Sequence, residues 1–190
     1  MLKVLKFGGS SLADSSQFAK VKEIVESDSS RELVIVSAPG KRDSEDNKIT
    51  DLLYLTHAHL RYGVAHDGVL SMIKKRYSEI RKGCGIEINI ESIVDETFAG
   101  INKKTPVDFI ASRGEYFSAL LMAKYLGYQF VDAVDWLCFE YNGKVNAEKS
   151  EEKLRELKNK YGKIVTPGFY GAMPNGEIRV FPRGGSDITG

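Results

Sequence analysis

The chain has 190 residues, of which 42% are hydrophobic and 28% are charged. These fractions are typical of a folded domain with one sizeable core, and they exclude a disordered or collagen-like chain. Its 27 basic and 26 acidic side chains give a net charge of +1. No overall positive field would therefore draw the protein to nucleic acid or to an anionic membrane, and any anion must bind at a local site.

No apolar run reaches the ~18 residues of a membrane span, and residues 1–10 lead directly into two glycines without the pattern of a signal peptide. Cys84 and Cys138 have neither the number nor the spacing of a disulfide framework or a zinc site. His57 and His59 are two residues apart and would lie on different faces of a helix, so they do not suit a shared metal. We therefore expect a cytoplasmic protein with no metal site of its own and no membrane or nucleic-acid partner.

The first 37 residues predict a strand, a helix and a second strand. Residues 2–7 are mostly apolar, residues 18–25 place apolar side chains at helical spacing, and residues 32–37 again resemble a strand. This length is typical of a right-handed βαβ unit with parallel strands. The sequence therefore predicts the α/β class.

A charged stretch and several helices follow. Residues 41–48 are too polar to pack, so we expect an exposed loop, a kind of segment that often acts as a lid. From Thr50 to about residue 104 the apolar spacing predicts consecutive helices. A further helix is predicted over residues 109–126, with an early interruption at Arg113-Gly114 that places Glu115 in the first turn of a buried segment.

The last third of the chain predicts two strands, a charged helix and a hairpin. Residues 129–134 and 163–166 resemble strands, and residues 150–161 resemble a helix with a solvated face. Pro174-Asn175-Gly176 lies between two strand-like segments and is typical of a hairpin turn. The glycine-rich residues 183–190 contain a helix-capping pattern with no helix after it, so we expect this chain to be the front part of a longer protein.

Lys6 and the glycines after it form the first candidate site. In open α/β sheets, ligands bind at the carboxyl ends of strands, and Gly8, Gly9 and Ser10 follow the first strand there. Paired glycines let backbone N–H groups approach a phosphate, the N-terminus of the next helix adds positive potential, and Lys6 adds a full charge. The pattern is neither a Walker A loop nor a dinucleotide fingerprint, so a plain tight turn with a lysine at its edge stays open.

The chain end and three isolated polar residues offer a second candidate site. Arg183 could bind a carboxylate or phosphate with two hydrogen bonds, and Asp187 could accept from an ammonium group, a combination that suits an amino acid. Ser37 and Thr50 would add hydroxyls at the same edge of the sheet, and Glu115 would add a carboxylate in the first turn of a buried helix. The alternatives are ordinary helix caps, a surface arginine and a carboxylate that complements a helix dipole.

Five motifs, taken in this order, resemble those of the aspartate kinase (aspartokinase) family of the amino-acid kinase superfamily. They are residues 6–11, 36–38, 112–115, 167–169 and 183–189, and the last is the most distinctive. The resemblance covers nearly all of the chain and implies a three-layer α/β/α sandwich around a mainly parallel sheet. It makes residues 1–190 the N-terminal, aspartate-binding part of the catalytic domain, with the adenine site and the regulatory ACT domains of the family beyond residue 190.

The resemblance also implies a reaction and a role for each site residue. A homo-oligomer would use ATP with Mg²⁺ to phosphorylate the β-carboxylate of L-aspartate to 4-phospho-L-aspartate, the first step of lysine, threonine and methionine biosynthesis. Lys6 would neutralise charge on the transferring phosphoryl group, and Asp187 would be the second catalytic residue. The phosphates would lie against Lys6, Gly8, Gly9 and Ser10. The aspartate pocket would contain Ser37, Thr50, Glu115, Phe169, Arg183, Ser186 and Asp187, with Glu115 and Asp187 near the ammonium and Arg183 on the α-carboxylate.

Two other functions stay open at this point. Another amino-acid kinase, acting on glutamate or N-acetylglutamate, would share the Lys6 motif but should lack the ammonium-binding pair and the motif at residues 183–189. A non-catalytic amino-acid-binding or interaction module would keep the fold without turnover. We also expect residues 1–190 alone to be inactive, because the family's adenine site lies outside them.

Overall fold

The computed structural model describes residues 3–181. A four-stranded sheet runs in the spatial order β1-β2-β4-β3, and each neighbouring pair is parallel. Its strands are β1 (Lys3–Phe7), β2 (Arg31–Val36), β3 (Gln129–Phe130) and β4 (Ile164–Pro167). The helices are α1 (Ser15–Glu26), α2 (Ile49–Tyr62), α3 (Asp67–Gly83), α4 (Ile90–Phe98), α5 (Val107–Leu126), α6 (Ala133–Trp136) and α7 (Ala147–Tyr161).

Alternate residues of the central strand β2 enter two different cores. Val34 and Val36 pack into the larger core with residues of α1 and α5, whereas Leu33 packs into a smaller core on the other face. The second face is covered by α7, whose Leu154 and Leu157 contact that smaller core. Because successive strand residues point to opposite faces, one strand serves both layers of helices. The three-layer α/β/α arrangement is therefore confirmed.

Helices α2, α3 and α4 extend the larger core beyond the sheet. Ile73, Tyr77 and Ile80 of α3 lie on one buried face, spaced by four and three residues as an amphipathic helix requires. The Tyr77 ring contacts Phe117 of α5 edge-on, with ring centroids 5.4 Å apart. The predicted run of consecutive helices is thus confirmed, and it packs mainly against α5.

A hairpin follows β4, as the turn residues predict. Its strands, β5 (Tyr170–Ala172) and β6 (Ile178–Val180), pair antiparallel. Gly176 in the connecting turn has a φ of +83°, a left-handed conformation that glycine adopts without strain. Within residues 3–181, no helix combines the length and the apolar content that a membrane crossing requires.

Two predicted boundaries are wrong. Helix α5 is not interrupted at Arg113-Gly114, and Glu115 is its ninth residue rather than part of its first turn. Gly114 stays helical, and the absence of a Cβ there lets α5 pack closely against Ala38. The strand predicted over residues 129–134 stops at Phe130, because the Asp132 side chain accepts a hydrogen bond from the Val134 amide and so begins α6.

The segment at residues 41–48 is exposed for most of its length, as expected, but one part of it packs. Asp46 is only 11% exposed and forms an ion pair with Arg76, an α3 residue whose side chain is 5% exposed. The prediction that this stretch is too polar to pack is therefore wrong at Asp46, where a buried arginine provides the partner that an inward carboxylate needs.

Candidate functional site

An open cleft of about 470 Å³ lies where strands β1 and β2 end. This is the edge of a parallel sheet at which open α/β proteins bind ligands. The lining residues are Gly9, Ser10, Ser37, Ala38, Pro39, Gly40, Lys41, Lys48, Thr50 and Glu115. Five of the residues predicted from the sequence therefore line one cleft, although they come from four separate stretches of the chain.

The loops that follow β1 and β2 touch each other through two glycines. The Gly40 amide donates a hydrogen bond of 2.8 Å to the Gly9 carbonyl. A Cβ atom on Gly9 would lie 2.9 Å from the Ala38 carbonyl oxygen, and one on Gly40 would lie 2.8 Å from the Gly9 carbonyl carbon. Both contacts are with backbone, which cannot move away easily. The narrow joint between the two loops therefore requires glycine at both positions.

The first glycine of the motif has a different environment. A Cβ atom on Gly8 would meet no atom within 4 Å, so this position faces open space. Gly9 begins a 3₁₀ turn, Gly9–Leu12, and α1 begins only after it. The Asp14 carboxylate already accepts from the Gln17 amide at the start of α1. The Asp14 side chain therefore caps α1, and the expectation that the following helix offers its N-terminus to a ligand stays a prediction.

Lys6 is the penultimate residue of β1 and pairs with Ile35 of β2. It is partly buried, and strand alternation places it on the sheet face opposite Phe7, which packs into the larger core. The glycine loop begins two residues later. Lys6 therefore carries its charge at the same edge of the sheet as the cleft, and its role there stays a prediction.

Glu115 is the buried acid of the cleft. Gly114, just before it, lets α5 approach the loop after β2, since a Cβ there would lie 2.7 Å from the Ala38 Cβ. Glu115 is 4% exposed, and its Oε2 atom has no hydrogen-bond partner among the described residues. Burial raises the pKa of the Glu115 carboxyl to about 8, and a hydrogen bond with the Ala38 backbone offsets only part of that rise. A cation placed against Oε2 would satisfy it.

Arg113, two residues before Glu115, is held in a different environment. Its guanidinium lies 4.5 Å from the ring centroid of Tyr116 and 4.8 Å from that of Phe109. It also donates a hydrogen bond of 2.9 Å to the Ser112 hydroxyl. Stacking between aromatic rings fixes this arginine within α5. Burial has the largest effect on the pKa of Glu115, and the positive charge of Arg113 has the smallest. Burial therefore determines the protonation state of that carboxyl.

Three candidates remain among the described residues. Ser37 directly follows β2, and its amide donates to the Phe7 carbonyl at 3.1 Å. Thr50 is the second residue of α2 and not its cap. Phe169 follows β4 with a φ of +77°, a backbone conformation that is uncommon for a residue with a side chain. It packs against the smaller core and is absent from the cleft lining, so the structure brings it to the same sheet edge without placing it in the cleft.

The other predicted residues, Arg183, Ser186 and Asp187, lie outside the residues that the structure describes. In contrast, the structure adds two cleft residues that sequence reasoning missed. Lys41 and Lys48 bracket the segment after β2, and both line the cleft. The sequence could have indicated both residues, because Lys41 directly follows Gly40 and Lys48 directly precedes α2. Both ends of that segment must return to the sheet edge.

Comparison with known proteins assigns the fold to a family. The model of the amino acid kinase family matches residues 1–190. The chain belongs to the amino acid kinase family. Among curated relatives of the family, Aspartokinase 3 of Bacillus subtilis is 38% identical over 207 residues, and Lysine-sensitive aspartokinase 3 of Escherichia coli is 27% identical over 214 residues. The chain spans 45% and 44% of these relatives, which is just under half of their length.

Solved structures of amino acid kinase family members show the same architecture. The aspartate kinase of Clostridium acetobutylicum matches 98% of this chain with a TM-score of 0.94 and 46% identity, over 43% of its own length. E. coli aspartokinase III, in complex with aspartate and ADP, matches with a TM-score of 0.81 and 25% identity, over 45% of its length. The resemblance to the aspartate kinase family that the five motifs indicate is confirmed. The α/β/α fold that this resemblance implies is confirmed as well.

Proposed function

We propose that this chain is the N-terminal, aspartate-binding part of the catalytic domain of an aspartate kinase. The reaction is transfer of the γ-phosphoryl group of ATP to the β-carboxylate of L-aspartate, which gives 4-phospho-L-aspartate. The observation that carries the proposal is Glu115, a buried acid in the cleft whose Oε2 atom lacks a partner among residues 3–181. The named activities of the relatives in B. subtilis, E. coli and C. acetobutylicum support it.

Glu115 is suited to an ammonium group. An ammonium group brings three N–H donors and a positive charge, so it satisfies a buried carboxylate oxygen and favours its ionised form. Ser37 and Thr50 supply hydroxyls in the same cleft, and Lys41 and Lys48 supply positive charge around it. One buried carboxyl that an ammonium group would ionise, beside surrounding cations and hydroxyls, matches a zwitterionic amino acid that carries an additional carboxylate.

The loop after β1 is the proposed phosphate side of the cleft. Gly8 faces open space and Gly9 and Ser10 line the cleft, so phosphate oxygens can approach the backbone there. Lys6 would neutralise charge on the transferring group. An oxygen of the aspartate β-carboxylate forms the new bond to phosphorus as the bond to the departing ADP breaks. A carboxylate needs no deprotonation, so catalysis depends on position and electrostatics.

The described residues offer no ready-made metal site. In residues 3–181, no group of three or more histidine, cysteine, aspartate or glutamate side chains is placed to hold a metal ion. Mg²⁺ often binds through substrate phosphates with only one or two carboxylates from the protein. In our proposal the phosphates of ATP would hold Mg²⁺, which would offset their negative charge, and the chain contributes the cleft around them.

The remaining assignments are proposals that rest on the family resemblance. Arg183 would bind the α-carboxylate, Asp187 and Glu115 the ammonium group, and Ser186 and Phe169 further parts of aspartate. The complete enzyme would be a cytoplasmic homo-oligomer in lysine, threonine and methionine biosynthesis. The free thiols of the protein, Cys84 and Cys138, suit a reducing compartment.

The test is an acyl-phosphate assay on the intact gene product, with hydroxylamine to trap the phosphorylated carboxylate. Aspartate should give product in the presence of ATP and Mg²⁺. Glutamate, N-acetylglutamate and N-acetylaspartate should give little, and the last compound carries a neutral acetamido group where aspartate has its ammonium group. Equal turnover of aspartate and N-acetylaspartate would contradict the role of Glu115. Turnover of glutamate derivatives alone would identify another amino-acid kinase, and no turnover of any substrate would favour a binding module.

A further inference from the structure

One buried arginine outside the cleft is bonded to two of the cleft's loops. Arg76 lies on the buried face of α3 between Ile73 and Ile80, where the helix otherwise contributes apolar side chains to the core. Its side chain is 5% exposed. A buried arginine requires hydrogen-bond partners for its guanidinium, and the identity of those partners shows what the residue holds together.

The guanidinium of Arg76 reaches three stretches of the chain. Its Nη1 atom donates to the Gly40 carbonyl at 3.0 Å and to the Ala13 carbonyl at 3.3 Å. Its Nη2 atom pairs with the Asp46 carboxylate and donates to the Asn47 carbonyl at 3.5 Å. Ala13 directly follows the 3₁₀ turn that begins at Gly9, Gly40 lines the cleft, and Asp46 lies in the segment between Lys41 and Lys48.

Asp46 is fixed from two sides. Arg42 donates to it through its backbone amide at 2.9 Å and its Nε at 3.0 Å, and Arg76 approaches from the core. The hydrogen bond from the Arg42 side chain is the main cause that holds the pKa of the Asp46 carboxyl well below its usual range, and the Arg76 charge adds to it. The carboxylate therefore stays ionised at neutral pH and ties the 41–48 segment to α3.

The joint that Arg76 supports has little room for adjustment. Gly40 already touches Gly9 so closely that neither tolerates a Cβ atom. Next to this contact, the Arg76 guanidinium donates hydrogen bonds to both loops, to the Gly40 carbonyl on one and to the Ala13 carbonyl on the other. A rigid planar fork is suited to such a task, because it fixes the relative position of several acceptors at once.

We infer that Arg76 is a positioning residue, which holds the loop after β1 and the loop after β2 at a fixed separation. This inference rests on the proposed function for its kinetic consequence: one loop is on the phosphate side and the other is on the aspartate side of the cleft. A change in their separation displaces the attacking carboxylate from the phosphorus, and displacements on the order of 1 Å reduce rates by about 100-fold. The effect falls on kcat more than on KM.

The test compares four variants of the intact gene product with the wild type. Arg76→Met removes the charge and all donors, whereas Arg76→Lys keeps the charge without the fork. Asp46→Asn keeps a polar partner but removes the ion pair. Lys74→Met is the matched control, since it removes a cation from the same helix whose ion pair with Asp95, at 2.8 Å, contacts neither cleft loop. Each rate is divided by the folded fraction from near-ultraviolet circular dichroism.

We expect kcat to fall by about 10- to 100-fold in Arg76→Met, with a smaller fall in Arg76→Lys and in Asp46→Asn. The KM for aspartate should change by less than about threefold, and Lys74→Met should keep the wild-type kcat. A wild-type kcat per folded molecule in Arg76→Met would overturn the inference. So would an equal loss in Lys74→Met.

Hydrogen–deuterium exchange separates this inference from the proposed function. In Arg76→Met, peptides covering residues 8–14 and 38–48 should exchange faster, while peptides from α7 stay unchanged. If the wild type forms no acyl phosphate, the proposed function fails, and the exchange result alone then decides whether Arg76 holds the two loops. Unchanged exchange in both segments would overturn the positioning role whatever the activity.

Discussion

The buried carboxyl of Glu115 predicts that unfolding of this protein depends on pH in an unusual direction. Its pKa is raised from 4.5 to about 8 in the folded chain, because burial disfavours the charged form. Between these two values the folded state binds a proton that the unfolded state has released. The free energy of unfolding contributed by Glu115 is therefore fully present below pH 4.5 and is lost as pH rises towards 8.

The size of this effect follows from the two pKa values. Each pKa unit corresponds to about 1.4 kcal/mol, so a rise from 4.5 to about 8 corresponds to roughly 5 kcal/mol across that range. Glu115→Gln keeps the shape of the side chain and cannot ionise. Relative to this variant, the wild type should lose about 1.4 kcal/mol of unfolding free energy for each pH unit between pH 5 and pH 7.5.

Urea denaturation at a series of pH values measures this difference directly. Because all other titrating groups are common to both proteins, subtracting the Glu115→Gln curve isolates the contribution of one carboxyl. The wild-type midpoint should approach, and then fall below, that of the variant as pH rises. Parallel curves for the two proteins would refute the assignment of a neutral, buried Glu115.

Ligand binding offers an independent measurement of the same group. An ammonium group needs the ionised carboxylate, and with a pKa of about 8 only about a tenth of Glu115 is ionised at pH 7. The apparent affinity for aspartate should therefore rise about eightfold between pH 7 and pH 8.5, with close to one proton released at pH 7. Calorimetry in buffers of different ionisation enthalpy counts that proton. Binding without proton release would contradict ammonium recognition by Glu115.

Four further substitutions, one of them a matched control, test the cleft and the core. Lys6→Ala should lower kcat by about 100-fold or more while folding survives, because a preorganised charge is lost, and a near-normal kcat in the acyl-phosphate assay would contradict its role. Gly9→Ala should lose about 1–3 kcal/mol of unfolding free energy because its Cβ meets backbone. The matched Gly8→Ala, with open space around it, should lose none, and equal urea midpoints would refute the contact. Thr166→Val removes the acceptor of the Trp136 indole N–H, at 2.9 Å. It should lose about 1–3 kcal/mol, measured by fluorescence of the single tryptophan, and an unchanged midpoint would show that this bond is dispensable.

The sequence by itself determined the class of the fold and the region of the site. Apolar spacing identified the first βαβ unit and the consecutive helices, and the turn at Asn175-Gly176 identified the hairpin, because these signals are local. The rule that ligands bind at the carboxyl ends of parallel strands grouped Gly9 and Ser37 at one edge, and the family resemblance added Glu115, which lines the same cleft. The roles of Arg183, Ser186 and Asp187 stay predictions from the family resemblance.

Only the tertiary structure decided how those residues meet. Gly114 resembles a helix break in sequence, yet α5 continues through it. Glycine is needed there because a Cβ would collide with Ala38, which comes 76 residues earlier in the chain. Asp46 resembles a solvated loop residue until Arg76, 30 residues away, pairs with it. Helical periodicity and turn chemistry depend on near neighbours, whereas close backbone contacts and buried ion pairs depend on which distant segments pack together.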